Sequence, residues 1–413
     1  MKLSVEQILR NAEQAAHKRF AEIDRIALHN QEKVLDAFRR NRIADRHLKG
    51  TTGYGYDDLG REAIAKVYAD VFGAQKAIVS PLITGGTHAL VLALFGLLLP
   101  GDTLLSVSGA PYDTLYNAIV GDGEGSMKEY GIKYDQIDLL GDRFDYPTLI
   151  EYLSQNKPKV VFVTRSRGYS FRNALTVEEI GELARFVKER SPGSIVFVDN
   201  CYGEFCEEKE PTEVGADICV GSLIKNIGGG LAPTGGYIVG REDLVTRVGY
   251  RFIAPGLGTE VGSYEKGYRD MFQGLFLAPS VVANAQKGSA LFAFAFSSLG
   301  YVTVPGPDEA CSDIIRSIVF NDPDSLIAFI QSVQRVSPID SDVVPEPWDM
   351  PGYQDQVIMA AGTFVAGASI ELSADAPIKP PYIAYLQGGL TYQHAYIACK
   401  YCLKAVLKEE DDQ

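Results

Sequence analysis

Residues 217–240 read "DICVGSLIKNIGGGLAPTGGYIVG": an apolar run, Ser222 and Lys225 at Ser-x-x-Lys spacing, a cluster of glycines and a second apolar run. Short continuous apolar runs bounded by turn residues read as buried strands. Upstream the same pattern recurs in "KAIVS" (76–80), "DTLLSVS" (102–108), "KVVFVT" (159–164) and "SIVFVDN" (194–200). Helical patterns separate these runs, among them "GTHALVLALFGLLL" and "TVEEIGELARFVKER", the latter with Thr176 and Glu179 at capping-box spacing. Apolar strands alternating with helices predict an α/β domain built on a mostly parallel sheet. Ligands of such sheets bind at the carboxyl ends of the strands. Ser-x-x-Lys at a strand end then admits two chemistries. It can be an acylated serine whose lysine moves protons. It can also be a lysine that holds a carbonyl cofactor as an imine while the serine grips a phosphate.

Working outward, residues 4 to about 45 read as one helix, with Ser4 and Gln7 as a capping box and Ile8, Leu9, Ala12, Ala16, Phe20, Ile23 and Ala27 in near-helical period. Beyond a helical stretch near 280–298, turns such as "NDPDS" (321–325) and the proline-rich "VVPEPWDMPGY" (343–353) break the chain into short elements of mixed character. The predicted organisation is an N-terminal helical arm (1–50), an α/β cofactor domain (51–280) and a smaller α+β C-terminal domain (281–413).

Composition sets bounds on function. The 413 residues are 46% apolar and 22% charged, with a formal net charge of −14. That balance argues against nucleic acid as a partner, because phosphate contacts need Lys and Arg patches. The most apolar window, "ALVLALFGLLL" (89–99), is too short to span a bilayer. The opening Met1-Lys2-Leu3-Ser4 leads into a polar amphipathic pattern rather than a secretory apolar segment, so a cytoplasmic protein with free thiols is expected. Cys399 and Cys402 spell C-x-x-C but fall in a helix stripe and read as core residues. Cys201 and Cys206 lack a zinc-ribbon spacing, and no metal site is expected.

Three strand ends carry the chemistry. After the first, Gly85-Gly86-Thr87 opens a helix, whose free N–H groups make an anion site. "IVFVDN" ends in Asp199, with Tyr202 three residues on. Ser222 and Lys225 follow the next. Desolvation beside an apolar strand is expected to lower the Lys225 pKa and favour its free amine. This ordered set suits pyridoxal 5′-phosphate, which needs a lysine for its imine, an acid to keep its ring nitrogen protonated and donors for its phosphate. Lys225 would form the imine and Asp199 would pair with the ring nitrogen. Gly86, Thr87 and Ser222 would hold the phosphate. Tyr112 would stack on the ring, and Tyr202 would bond its hydroxyl. The acyl-serine reading also wants Lys-Thr-Gly, which occurs nowhere in the chain. His88, inside the helix start, reads as structural.

The stretches "GGTHAL", "VDNCYGEF", "GSLIKNIGGGLAPTGGYIVG" and "GASIELSADAPIKPPYIAYLQGGLTY" resemble the aluminium-resistance and methionine γ-lyase-like branch of the Cys/Met-metabolism pyridoxal-phosphate enzymes. The resemblance runs over nearly the whole chain. It implies the aspartate-aminotransferase (type I) fold and a homodimer or homotetramer with active sites shared between subunits. It also implies carbon–sulfur lyase chemistry, β- or γ-elimination from cystathionine, methionine or a cysteine-like substrate. Members of the family carry a Tyr-x-Arg pair that reaches the neighbouring subunit's phosphate. The matching place here is Tyr54-Gly55-Tyr56, with Arg61 as a replacement for the arginine. The substrate carboxylate, bound in the family by a C-terminal-domain arginine, falls here to Lys379 in "ADAPIKPPY" or to Arg167 and Arg165 in "TRSRGYS". An aminotransferase or aldolase reaction on the same site, or a noncatalytic cofactor-binding protein, are the alternatives.

Overall fold

The computed structural model describes residues 3–409 except 124 and 351–354, so the last three residues of the proline-rich stretch lie outside the described residues. Seven strands form the larger sheet: β1 (Lys76–Ser80), β2 (Thr103–Ser106), β3 (Lys133–Gln136), β4 (Val160–Thr164), β5 (Ile195–Asp199), β6 (Ile218–Ser222) and β7 (Gly236–Gly240). Their order is β1-β7-β6-β5-β4-β2-β3, and only β7 runs against the rest. Six of the seven, all but β3, are the runs that the sequence pattern predicts. The strand β3 escapes it because "KYDQ" is an exposed polar edge, which needs no apolar face.

Helices α2 (Leu59–Val71), α3 (Gly86–Leu97), α4 (Asp113–Val120), α5 (Tyr146–Gln155), α6 (Val177–Arg190) and α7 (Glu242–Phe252) cover this sheet. The start of α6 is fixed by the capping box: Glu179 N donates to Thr176 Oγ1 at 3.1 Å, and Thr176 N donates to Glu179 Oε2 at 2.8 Å. Only half of the box expected at Ser4 forms, with Gln7 N donating to Ser4 Oγ at 3.3 Å.

Helix α1 (Val5–Arg40) lies along α8 (Arg269–Ser298), which runs unbroken past residue 280. Val5, Ile8 and Leu9 of α1 enter the core of the smaller domain, whereas Val34 and Ala37 enter that of the larger. The N-terminal helix therefore ties the two cores of its own chain together. The second sheet contains β8 (Val302–Val304), β9 (Ile315–Val319), β10 (Val357–Ala360), β11 (Ser373–Pro377) and β12 (Ile383–Gln387) in the order β10-β11-β12-β9-β8, all antiparallel. Helices α9 (Pro323–Arg335) and α10 (Tyr392–Leu407) pack on one face of it. Cys399 and Cys402 are fully buried in that core as free thiols.

The glycines after Lys225 serve packing. A Cβ on Gly274 of α8 would sit 2.2 Å from the Gly228 carbonyl oxygen, and one on Gly230 would meet Leu390 at 2.5 Å. The loop thus needs glycine to approach α8 backbone to backbone. Gly274→Ala is expected to cost about 1–3 kcal/mol, the usual penalty of overpacking, read as a lower midpoint in denaturant unfolding.

Candidate active site

The parallel strands deliver their last residues to one edge of the sheet, as the strand-end rule requires. Asp199 closes β5 and Ser222 closes β6, and Lys225 follows in the turn. The start of α3 reaches the same edge, because a Cβ on Gly86 would stand 3.4 Å from both Ser222 Cβ and Cys201 Sγ. Thr87 Oγ1 and the Tyr112 hydroxyl share a hydrogen bond of 2.8 Å, joining the starts of α3 and α4. Burial beside Asp199 pushes the Tyr112 phenol well above its ordinary range.

Lys225 Nζ donates to the Gly367 carbonyl at 2.6 Å and to Ser369 Oγ at 2.8 Å. It lies 5.0 Å from the Tyr202 ring centroid, and the Tyr202 hydroxyl is 3.2 Å from the same Ser369 oxygen. Tyr202 adopts a left-handed φ of 72°, rare for an aromatic residue, and Asn226 Nδ2 donates to its carbonyl at 2.9 Å. The expectation of a lowered Lys225 pKa is corrected here. Burial pulls it down, but Tyr202, Cys201 and Asp375 favour the cation, and the net shift is upward.

Asp199 is buried, and its carboxylate accepts from Cys201 N at 3.1 Å. Among the described residues no lysine or arginine pairs with it. Burial raises its pKa to about 6. The Ser222 hydroxyl is buried without a hydrogen-bond partner. A buried, unpaired carboxylate and a buried, unsatisfied hydroxyl are costly unless a ligand completes them. A protonated ring nitrogen and a phosphate oxygen are groups of the right kind, so the residues present fit pyridoxal phosphate.

Other predicted residues have other partners. Arg167 is buried in an ion pair with Asp313, 3.3 Å from Nη2 to Oδ1, and donates to the Val304 carbonyl at 2.7 Å. Arg165 is buried against Glu207, Asn200 and the Gly203 carbonyl. Lys379 is exposed and pairs with Asp355 at 3.0 Å. Tyr54 and Tyr56 stand out from a loop whose backbone meets residues 262–263, with relative exposures of 75% and 59%. Arg61 donates to the Gly55, Glu260 and Gly262 carbonyls and so braces that loop. His88 Nδ1 accepts from Thr84 N at 3.1 Å, a loop contact in keeping with a structural reading.

Beneath the site lies a group the sequence reading missed. Glu204 is fully buried, accepts from the Tyr237 hydroxyl at 2.8 Å and leaves Oε2 without a partner. Burial, chiefly, raises its pKa to about 8. The folded protein thus favours the neutral acid, and this contribution to stability is lost as pH rises from the unfolded carboxyl range through about 8. Glu204→Gln, which cannot ionise, is expected to raise the melting temperature of the apoprotein more at pH 9 than at pH 6.

The methionine gamma-lyase family matches this chain over residues 5–407. YnbB of Bacillus subtilis, an uncharacterized protein, is 49% identical over 377 residues, 90% of this chain and 89% of its own. A carbon-sulfur lyase involved in aluminum resistance from Clostridium novyi has a crystal structure with TM-score 0.93 and 48% identity, covering 97% of this chain and 95% of that one. A Listeria innocua protein, provisionally named a cystathionine beta-lyase involved in aluminum resistance, gives TM-score 0.95 and 49% identity over 98% of this chain and all (100%) of its own. The fold extends to the pyridoxal-5′-phosphate dependent protein YhfS of Escherichia coli, with TM-score 0.60 at 16% identity over 98% of each chain. With both cores, the strand-end cluster and the match over residues 5–407 in place, this chain belongs to the methionine gamma-lyase family.

Proposed function

We propose that the protein is a pyridoxal-phosphate-dependent carbon–sulfur lyase of the type I fold, acting on a sulfur amino acid such as cystathionine, methionine or a cysteine-like thioether. The observation that carries this reading is the strand-end cluster: Lys225 poised on Gly367 and Ser369, beside an unpaired Asp199 and an unsatisfied Ser222. The names of the Clostridium and Listeria relatives support it.

Bound pyridoxal phosphate supplies an electron sink for negative charge developing at the substrate Cα. The protein's share is placement. Ser222, Thr87 and the backbone N–H groups opening α3 bind the phosphate. Asp199 would keep the ring nitrogen protonated, and Tyr112 and Tyr202 would hold the ring, by stacking and by a hydrogen bond to its hydroxyl. Lys225 Nζ, oriented by the Gly367 carbonyl and Ser369 Oγ, takes the Cα proton as general base. That charge would expel a β-sulfur substituent as thiolate, and the ammonium formed on Lys225 would return the proton that makes it a thiol; a γ-substituent would leave only after a second proton is taken from Cβ.

The candidate cations Arg165, Arg167 and Lys379 are each ion-paired elsewhere, while Tyr54 and Tyr56 project outward. A homodimer or homotetramer with sites shared between subunits meets both facts. The test is release of thiol and 2-oxo acid from cystathionine, methionine and cysteine by cofactor-loaded protein. Keto-acid exchange without thiol release would overturn the reading in favour of an aminotransferase.

A further inference from the structure

Asp199 closes β5 with its backbone locked on both sides. Its carbonyl accepts from Arg165 N at 3.1 Å, and Asn200 N donates to the Val220 carbonyl at 2.9 Å. Asn200 then turns away from the site, accepting from Arg165 Nη1 at 2.8 Å and donating to Glu210 at 2.9 Å. Gly203 N closes the turn on the Asn200 carbonyl at 2.9 Å, and Asn226 holds the left-handed Tyr202. A turn fixed at so many points aims the Cys201 side chain at the strand-end edge. Its sulfur lies 3.4 Å from where a Cβ on Gly86 would stand, at the start of α3 and as near to it as Ser222 Cβ.

The sulfur is also next to the carboxylate. Among the described residues, both hydrogen bonds that the Asp199 carboxylate accepts come from Cys201, one from its backbone N–H at 3.1 Å and one from its thiol. Tyr112 at the start of α4 and Cys219 on β6 also feel the charge of Asp199, and neither is a cation. Lys225 and Glu204 act on the thiol itself. Burial keeps that thiol well above its ordinary range, so it retains a proton to donate. The other cysteines are buried, whereas Cys201 is partly open, and the Ser222 hydroxyl on the same edge is buried and unpartnered. Packing alone does not call for a proton donor at this place. A cofactor with a cationic ring nitrogen does, since Asp199 must be ionised to meet it.

A hydrogen bond to the charged form of an acid favours that form. A thiol is a weak donor, so it offsets part of the burial cost and leaves the carboxylate responsive to a cation. We propose that Cys201 is a positioning residue of the cofactor site: its thiol donates to Asp199 and keeps that carboxylate ionised and oriented for the ring nitrogen. This rests on the pyridoxal-phosphate reading for the partner of Asp199, but the bond between thiol and carboxylate is a property of the protein alone.

Two readouts test it. One is the infrared band of the protonated Asp199 carboxyl in the apoprotein, identified by its absence in Asp199→Asn and followed against pH. The other is the dissociation constant of pyridoxal phosphate over the same range, by calorimetry. In the wild type both should change at about pH 6. Cys201→Ala is expected to move both midpoints up by about 0.5–1 pH unit, the value of one weak hydrogen bond to a charged group. Cys201→Ser, which keeps a donor, should hold them at or below the wild-type value. Cys201→Val, which fills the space without a donor, should behave as the alanine variant and replaces it if that variant does not fold. In an Asp199→Asn background, Cys201→Ala should change cofactor affinity by less than about twofold. Unmoved midpoints in the alanine or valine variant overturn the proposal. So does an affinity loss of the same size with and without Asp199, which would show the thiol acting by packing or on the cofactor directly. If neither wild type nor variant binds pyridoxal phosphate, the cofactor reading fails alone, and the infrared midpoints decide for or against Cys201.

Discussion

Lys225→Ala is expected to lose about 10⁴-fold in thiol release, the upper range for removal of a positioned general base. The variant should also fail to retain pyridoxal phosphate through gel filtration, because the covalent anchor is gone. Lys225 is specific in this respect. It is the lysine at the strand-end edge, bonded to Gly367 and Ser369 and facing Tyr202. The variant should still fold, since the Gly367 carbonyl sits on an exposed residue and the buried Ser369 hydroxyl keeps the Tyr202 hydroxyl as a partner. An unchanged melting temperature of the apoprotein, together with lost activity, separates chemistry from structure. Added primary amines should recover part of the elimination in the alanine variant, as a free base can occupy the space vacated by the side chain.

Asp199→Asn carries the second large effect. The wild-type carboxylate is buried without a cation of its own, which holds its pKa at about 6. Binding a cationic ring nitrogen gives it the partner it lacks and pulls that pKa down. Cofactor affinity should therefore fall as pH drops through about 6, where the apoprotein's Asp199 takes up a proton. In the asparagine variant no such step exists, and affinity should change little over the same interval. Turnover is expected to drop about 10²–10³-fold, the range for losing one preorganised electrostatic contact at a reacting centre. The substitution also removes a buried charge, so the apoprotein should be more stable above pH 6 than the wild type. Because folding favours the protonated acid, the wild type's stability from this group is present at low pH and lost as pH rises through about 6. A variant that loses activity while gaining stability points to function rather than packing.

Much of this was legible in the sequence because it is local. Each central strand is a continuous apolar run, and Asp199, Ser222 and Lys225 each sit within three residues of a strand end. Knowing that the strands are parallel is then enough to bring them to one edge. What escaped is what the chain brings together from afar. Ser369 and Gly367 hold Lys225 across more than 140 residues of sequence, and Asp375 comes from a strand of the other sheet. No spacing rule relates them to "GSLIKN". The sign of the Lys225 shift failed for the same reason: desolvation was foreseeable, but Tyr202, Cys201 and Asp375 outweigh it. Arg167 looked available because it follows a strand end, yet its partner Asp313 lies 146 residues away. The triple glycine was readable as close approach, but only the structure shows that the approaching backbone belongs to α8.

Everything turns on where the cofactor attaches. Protein incubated with pyridoxal phosphate, reduced with borohydride, digested and analysed by mass spectrometry should carry the pyridoxyl phosphate group on Lys225. Label absent from that residue, or found at another lysine with equal yield in Lys225→Ala, would contradict it.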